Sequence, residues 1–103
     1  MTLAERKAIH VIVRGRVQGV GFRAFVEHQA LSCGIEGWVR NRRDGTVEAV
    51  FAGEPESVEA MIAACKTGPR SGRVDDIEQR DATEDDLLAL RSQAEIFSCL
   101  PTV

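Results

Sequence analysis

The sequence has few of the residues on which disulfide-bonded, zinc-binding and membrane-spanning proteins depend. Its three cysteines, at positions 33, 65 and 99, include no Cys-x-x-Cys pair, which argues against a disulfide framework and a cysteine-based zinc site. No apolar stretch approaches the ~18 residues of a membrane-spanning helix. The opening MTLAERKAIH lacks the apolar segment of a signal peptide. We therefore expect a cytoplasmic protein that does not associate with membranes.

Aromatic residues are scarce as well, with four Phe, one Trp and no Tyr.

The charge is unevenly distributed along the sequence. Residues 1–43 hold eight Lys or Arg and three Glu, whereas residues 44–103 hold five Lys or Arg and thirteen Asp or Glu. A local positive field on an acidic protein suits a small anionic ligand, whereas a long nucleic acid usually meets a broader basic face. The composition therefore favours a small-molecule partner and no nucleic acid.

The length of 103 residues suffices for a single domain, predicted over residues 1–103 with a core at about 8–101. Residues 81–91 read as a loop with a turn of helix. Hydrophobic periodicity and turn residues predict strands at 9–13, 37–40, 46–51 and 73–79, helices at 22–33 and 55–66, and a last strand at 95–100. This order predicts an α+β fold, a ferredoxin-like β-α-β-β-α-β sandwich with an antiparallel sheet, two helices on one face and an extra C-terminal strand.

A glycine-rich, cationic stretch, GRVQGVGFR at residues 15–23, connects the first strand to the first helix. Glycines let consecutive backbone N–H groups turn inward, and a helix N-terminus adds partial positive charge, so the stretch suits an anion. The Walker A spacing is absent. Residues 19–24 fit GxGxxA, but Asp44 lies in a predicted hairpin turn and not at the end of a parallel strand, which argues against a dinucleotide site. A tight strand-to-helix connection would explain the glycines but not the arginines.

Two polar side chains are candidates for a site beside this loop. Arg23 falls in the first helical turn, where a cation is disfavoured unless an anion lies in front of it; a solvated surface arginine is the alternative. Asn41 shares the face of Val39 at its strand end, where its carboxamide could orient a water or cap the hairpin turn. His10 and His28 lack metal-ligand spacing, and no Ser-His-Asp or Cys-His arrangement can be assembled. We expect no metal and no cofactor.

Residues 15–23, followed by GWVRNRRDGTVE at 37–48, strongly resemble the acylphosphatase family, and GPRSGRV at 68–74 is similar to the family's segment before its fourth strand. The resemblance spans roughly residues 8–80. It implies a metal-free hydrolase that cleaves small acyl phosphates to a carboxylate and inorganic phosphate. A monomer is the default expectation for the oligomeric state. By this likeness, Arg23 and Asn41 are catalytic: Arg23 holds the phosphoryl oxygens and Asn41 places the attacking water. The phosphate-binding residues implied are Gly15, Arg16, Val17, Gln18, Gly19, Val20, Gly21 and Arg23.

Three other interpretations stay open from the sequence. One is a non-catalytic phosphate-binding module. Another is an RNA-binding module, since this fold can stack bases on sheet aromatics, although Trp38 alone is well placed for that. The third is a module of a larger carbamoyl-transfer protein, which would continue into zinc-type cysteines.

Overall fold

The computed structural model describes residues 6–88 and 96–103. Within these residues the elements are β1 (Lys7–Arg16), α1 (Phe22–Cys33), β2 (Glu36–Asn41), β3 (Val47–Gly53), α2 (Pro55–Thr67), β4 (Arg73–Asp81), α3 (Glu84–Leu88) and β5 (Phe97–Leu100). The strands form one sheet in the order β4-β1-β3-β2-β5. This confirms the predicted ferredoxin-like architecture with an extra C-terminal strand.

The sheet is antiparallel except at one edge. β1 pairs antiparallel with both β3 and β4, and β2 pairs antiparallel with β3. β5 lies parallel to β2, with Cys99 opposite Val39. The prediction of an antiparallel sheet therefore holds for the first four strands, and the added strand makes the sheet mixed. Glu95, where the last strand was expected to begin, lies outside the described residues.

The main core lies between one face of the sheet and the helices α1 and α2. The apolar face of α2 is buried there, and alternate strand residues contact it because successive side chains of a strand point to opposite faces. Burying each Val, Phe or Met side chain stabilises the fold by ~1.5–3 kcal/mol. The buried side chains of this core include Val11, Val13, Val26, Val39, Phe51, Val58, Met61, Ile62 and Cys65.

The short helix α3 packs on the opposite face. Leu87 is buried there against Trp38, Val50 and Ala52, and the Trp38 Nε1–H donates to the Asp86 carbonyl at 2.8 Å. The predicted turn of helix within 81–91 is thus confirmed at α3, while residues 89–91 lie outside the described part. None of the helices in residues 6–88 and 96–103 is long and apolar enough to cross a membrane.

This topology brings two chain segments together at one end of the sheet. β1 and β2 are both antiparallel to β3, so they run in the same direction and both finish at the same end of the sheet. The 17–21 loop follows β1 at that end, and Asn41 is the last residue of β2 there. The N-terminus of α1 begins directly after the loop. The fold therefore places a glycine-rich loop, a helix N-terminus and a strand-end carboxamide side by side.

Candidate active site

An open cavity of about 310 Å³ lies where the 17–21 loop, α1, β2 and β5 meet. Four predicted phosphate-binding residues and Asn41 border it, together with four residues that the sequence reasoning did not select. Its lining residues are Val17, Gly19, Gly21, Phe22, Arg23, Ala24, Glu27, Asn41 and Cys99. The two predicted catalytic residues therefore share one cavity, although 18 positions separate them in the sequence.

The loop in front of α1 is shaped by its glycines. Gly19 has φ 74° and Gly21 has φ 80°, in the left-handed region that side chains with a Cβ rarely adopt. A Cβ built at either position would meet nothing within 4 Å, so the space before the loop is open. Gly21 is also the N-cap of α1 and supplies no side-chain cap. The partial positive charge of the helix end therefore faces the cavity without a neutralising cap.

Arg23 is the second residue of α1 and is half-buried at the cavity wall. Its Nη1–H donates to the Leu100 carbonyl at 3.0 Å. That contact holds the guanidinium in place, while a guanidinium carries five N–H donors in all. A planar fork of donors fixed beside a helix N-terminus can bind two oxygens of one anion.

Asn41 has a fixed backbone and an unsatisfied side chain. Its backbone pairs with Val47 of β3, and its carbonyl accepts a hydrogen bond from the Val103 N–H at 3.0 Å. Its Oδ1 is buried and has no hydrogen-bond partner among the described residues. A buried acceptor left unpaired costs about 1–3 kcal/mol. This oxygen is therefore available to a small polar ligand in the cavity.

The hairpin turn beside Asn41 is capped by a different residue. The Asp44 carboxylate accepts hydrogen bonds from the Thr46 hydroxyl at 2.6 Å and the Thr46 backbone N–H at 3.0 Å, and these bonds lower the pKa of Asp44. Asn41 is thus not needed as the turn former, which was its alternative role. The position of Asp44 also contradicts a dinucleotide site, because its carboxylate is used inside the β2–β3 turn.

Gln18 connects the two halves of the site without lining the cavity. Its Nε2 donates to the Arg42 carbonyl at 2.6 Å and the Thr46 carbonyl at 2.8 Å. The side chain therefore ties the 17–21 loop to the β2–β3 turn next to Asn41. No local pattern in the sequence indicates this contact, because it depends on how the hairpin packs against the loop.

The other predicted phosphate-binding residues lie around the cavity and not in its lining. Gly15 and Arg16 belong to β1, at a shift of register between β1 and β4, and both are exposed. Val20 is partly buried against the main core. Of the loop residues predicted to bind phosphate, Val17, Gly19 and Gly21 are those that the structure brings to the cavity.

The two histidines do not line this cavity. His28 is exposed on α1. His10 is nearly buried on the α3 face, with Nε2 2.7 Å from Glu48 Oε2, while Arg40 Nε donates to Glu48 Oε1 at 2.7 Å. No group of three or more His, Cys, Asp or Glu within residues 6–88 and 96–103 could hold a metal ion.

Known proteins share the sequence and the fold of this chain. The acylphosphatase family profile matches residues 9–89. An acylphosphatase from Bradyrhizobium diazoefficiens is 57% identical over 98 residues, which cover 95% of this chain and 98% of the relative. The crystal structure of acylphosphatase from Bacillus subtilis superposes with a TM-score of 0.78 at 33% identity, covering 93% of this chain and 99% of that one.

A longer protein carries the same fold as a part of its chain. Full-length HypF, solved in a phosphate- and nucleotide-bound form, superposes with a TM-score of 0.82 at 25% identity, covering 98% of this chain but 13% of that one. The near-complete coverage by single-domain relatives, the family match and the shared fold lead to one assignment. The chain belongs to the acylphosphatase family.

Proposed function

We propose that this acylphosphatase hydrolyses the carboxyl–phosphate bond of small acyl phosphates by attack of water on phosphorus, with Arg23 and Asn41 as its catalytic residues. The observation that carries the proposal is their meeting with Gly19 and Gly21 around one open cavity. The products are a carboxylate and inorganic phosphate. The assignment of site residues rests on this geometry together with the family's motif.

In this mechanism the phosphoryl group lies between the loop and Arg23. The amides of the 17–21 loop and the N-terminus of α1 donate to the phosphoryl oxygens, and the guanidinium adds a charged contact. Phosphoryl transfer depends mainly on positioning and on stabilising charge. Gly15 and Arg16 contribute by fixing the end of β1 from which the loop departs. The departing carboxylate is a good leaving group, so no general acid is required to release it.

Asn41 holds the attacking water. Its buried Oδ1 accepts a hydrogen bond from the water, which leaves a lone pair of the water oxygen to face phosphorus. The P–O bond to the acyl group breaks as the new P–O bond forms, and a phosphoryl oxygen takes the proton that the water loses. The electron pair of the broken bond departs on the carboxylate. No side-chain base is needed for this step.

The first experiment follows hydrolysis of benzoyl phosphate in ¹⁸O-labelled water after exhaustive treatment with EDTA. We expect full activity and the label in inorganic phosphate, because Arg23 and backbone amides supply the charge that a metal would otherwise supply. Label in benzoate would show attack on the acyl carbon. Activity lost with EDTA and restored by a metal would contradict the metal-free mechanism.

The second experiment compares Arg23→Gln with Lys66→Gln. Both substitutions remove one positive charge, but Lys66 lies exposed near the end of α2 and outside the cavity lining. Arg23→Gln should reduce kcat by ~10²–10³, as expected when one preorganised donor is removed, and should also weaken inhibition by inorganic phosphate. Lys66→Gln should change neither. Equal behaviour of the two variants would remove Arg23 from the mechanism.

We further propose that the protein acts as a monomer in the cytoplasm and does not bind nucleic acid. The residues that line the cavity come from one chain, and none of the three cysteines, all within the described residues, forms a disulfide, as suits a reducing compartment. Trp38 is 3% exposed beneath α3, so it offers no platform for stacking bases. Sedimentation at assay concentration and an RNA filter-binding titration test these points.

A further inference from the structure

Glu27 stands out among the cavity residues because it places a carboxylate in an anion-binding site. It is half-buried on α1 and borders the cavity. Within residues 6–88 and 96–103, its carboxylate has no hydrogen bond or ion pair. Among the described cavity residues, Arg23 carries the positive charge and Glu27 the negative charge. The proposed mechanism gives this carboxylate no role.

The topology divides the cavity into two ends. The loop, Arg23 and Asn41 lie at the end where β1 and β2 finish. Glu27 lies one helical turn further along α1, about 6 Å from Arg23 along the helix axis. In the same direction β2 runs back from Asn41 to Val39, which pairs with Cys99. Glu27 and Cys99 therefore border the end away from the loop, whereas Ala24 borders the cavity beside Arg23.

The size of the cavity leaves room for an acyl group at this second end. A volume of about 310 Å³ corresponds to roughly ten water molecules in liquid water. A phosphoryl group occupies only part of that space. Glu27 borders the same cavity as Arg23, so an acyl group that extends along α1 comes to lie next to the Glu27 carboxylate.

We propose that Glu27 is a specificity-determining residue that favours acyl phosphates with a neutral or cationic acyl group and disfavours those with a second carboxylate. This inference rests on the proposed function, because it requires the phosphoryl group to occupy the loop end. Like charges repel more strongly in a partly buried site than in bulk water. A half-buried, unpaired carboxylate at the acyl end therefore discriminates by charge without touching the reacting atoms.

The test measures kcat/KM for three substrates that differ at one ring position: benzoyl phosphate, 4-carboxybenzoyl phosphate and 4-(trimethylammonio)benzoyl phosphate. Wild type is compared with Glu27→Gln, Glu27→Lys and the control Glu59→Gln, which removes an exposed carboxylate of α2 outside the cavity lining. For each protein, kcat/KM for a charged substrate is divided by kcat/KM for benzoyl phosphate. These ratios are then compared between variants, so the different reactivities of the leaving groups cancel.

Relative to benzoyl phosphate, Glu27→Gln should raise kcat/KM for the anionic substrate about five- to tenfold and lower it for the cationic one, and Glu27→Lys should extend both changes. The wild-type ratios should approach those of Glu27→Gln at high salt, and Glu59→Gln should leave them unaltered. Unchanged ratios in both Glu27 variants overturn the inference. An equal loss for all three substrates also overturns it, since that result assigns Glu27 to the chemical step. If wild type hydrolyses none of the three, the proposed function itself fails and this inference with it.

Discussion

The left-handed glycine at the start of α1 allows the chain-turning and ligand-binding roles of the loop to be separated. Gly21 has φ 80°, and an added Cβ would meet nothing within 4 Å. Gly21→Ala should therefore fold without a clash and cost ~1–2 kcal/mol of stability for the left-handed conformation alone. At ~4–8 °C per kcal/mol for a domain of this size, Tm should fall by roughly 5–15 °C.

The activity consequence of Gly21→Ala should be larger than its stability cost. The substitution adds a methyl group to a residue that lines the cavity, where the phosphoryl oxygens are proposed to lie. Losing one hydrogen bond to a charged group costs about 1.5–3 kcal/mol, so the inhibition constant of inorganic phosphate should rise roughly 10- to 100-fold. The assay is inhibition of benzoyl phosphate hydrolysis by phosphate, beside a thermal unfolding curve.

Gly34 provides a matched control on the same helix. It is the C-cap of α1, has φ 68°, and likewise offers open space to a Cβ. Gly34→Ala should lower Tm about as much as Gly21→Ala while leaving phosphate inhibition unchanged. If both variants lose stability and neither weakens phosphate inhibition, Gly21 serves only the strand-to-helix connection. That result would refute the proposal that the 17–21 loop binds the phosphoryl group.

Two further predictions concern the supports of the site and the opposite face of the sheet. Gln18→Ala removes two hydrogen bonds to the β2–β3 turn and should cost about 1–3 kcal/mol in urea unfolding, with a lower kcat because the loop and Asn41 are no longer tied together; an unaltered kcat would contradict that link. Burial raises the pKa of Glu48, but hydrogen bonds from His10 and Arg40 outweigh it and the net pKa is lowered below 4.5. The unfolded chain then takes up this proton at higher pH than the folded chain, so wild type should lose more stability than Glu48→Gln as pH falls below that value. Parallel stability curves for the two proteins between pH 5 and pH 3, a window set by the direction of that shift, would contradict this reasoning.

Local patterns were sufficient to predict most of the fold. The helices predicted at 22–33 and 55–66 depend on signals carried by neighbouring residues, and both are present in the structure. The alternation of a strand predicted that Asn41 would share the face of Val39, and the cavity contains Asn41. The parallel pairing of β5 could not be predicted in the same way, because it joins residues about 60 positions apart and lacks a local signal.

The site was less predictable than the fold, for the same physical reason. The contact from Arg23 to the Leu100 carbonyl spans 77 positions and depends on the register of β5. Gly15 is a predicted phosphate-binding residue because it belongs to the family motif at residues 15–23. The structure places it in β1, outside the cavity lining. Glu27 could have been found, since four residues after Arg23 is the neighbouring position on the same helix face.

The proposed mechanism depends most on Asn41, because its buried Oδ1, which has no hydrogen-bond partner among the described residues, is the group proposed to hold the attacking water next to the phosphate-binding loop. The most direct measurement is kcat for Asn41→Ala with benzoyl phosphate, together with the inhibition constant of inorganic phosphate for the same variant. We predict that kcat falls ~10²–10³-fold while phosphate inhibition stays within about twofold of wild type, since only the water is misplaced. Hydrolysis at the wild-type rate, or a loss of phosphate binding as large as that expected for Arg23→Gln, would contradict the proposed mechanism.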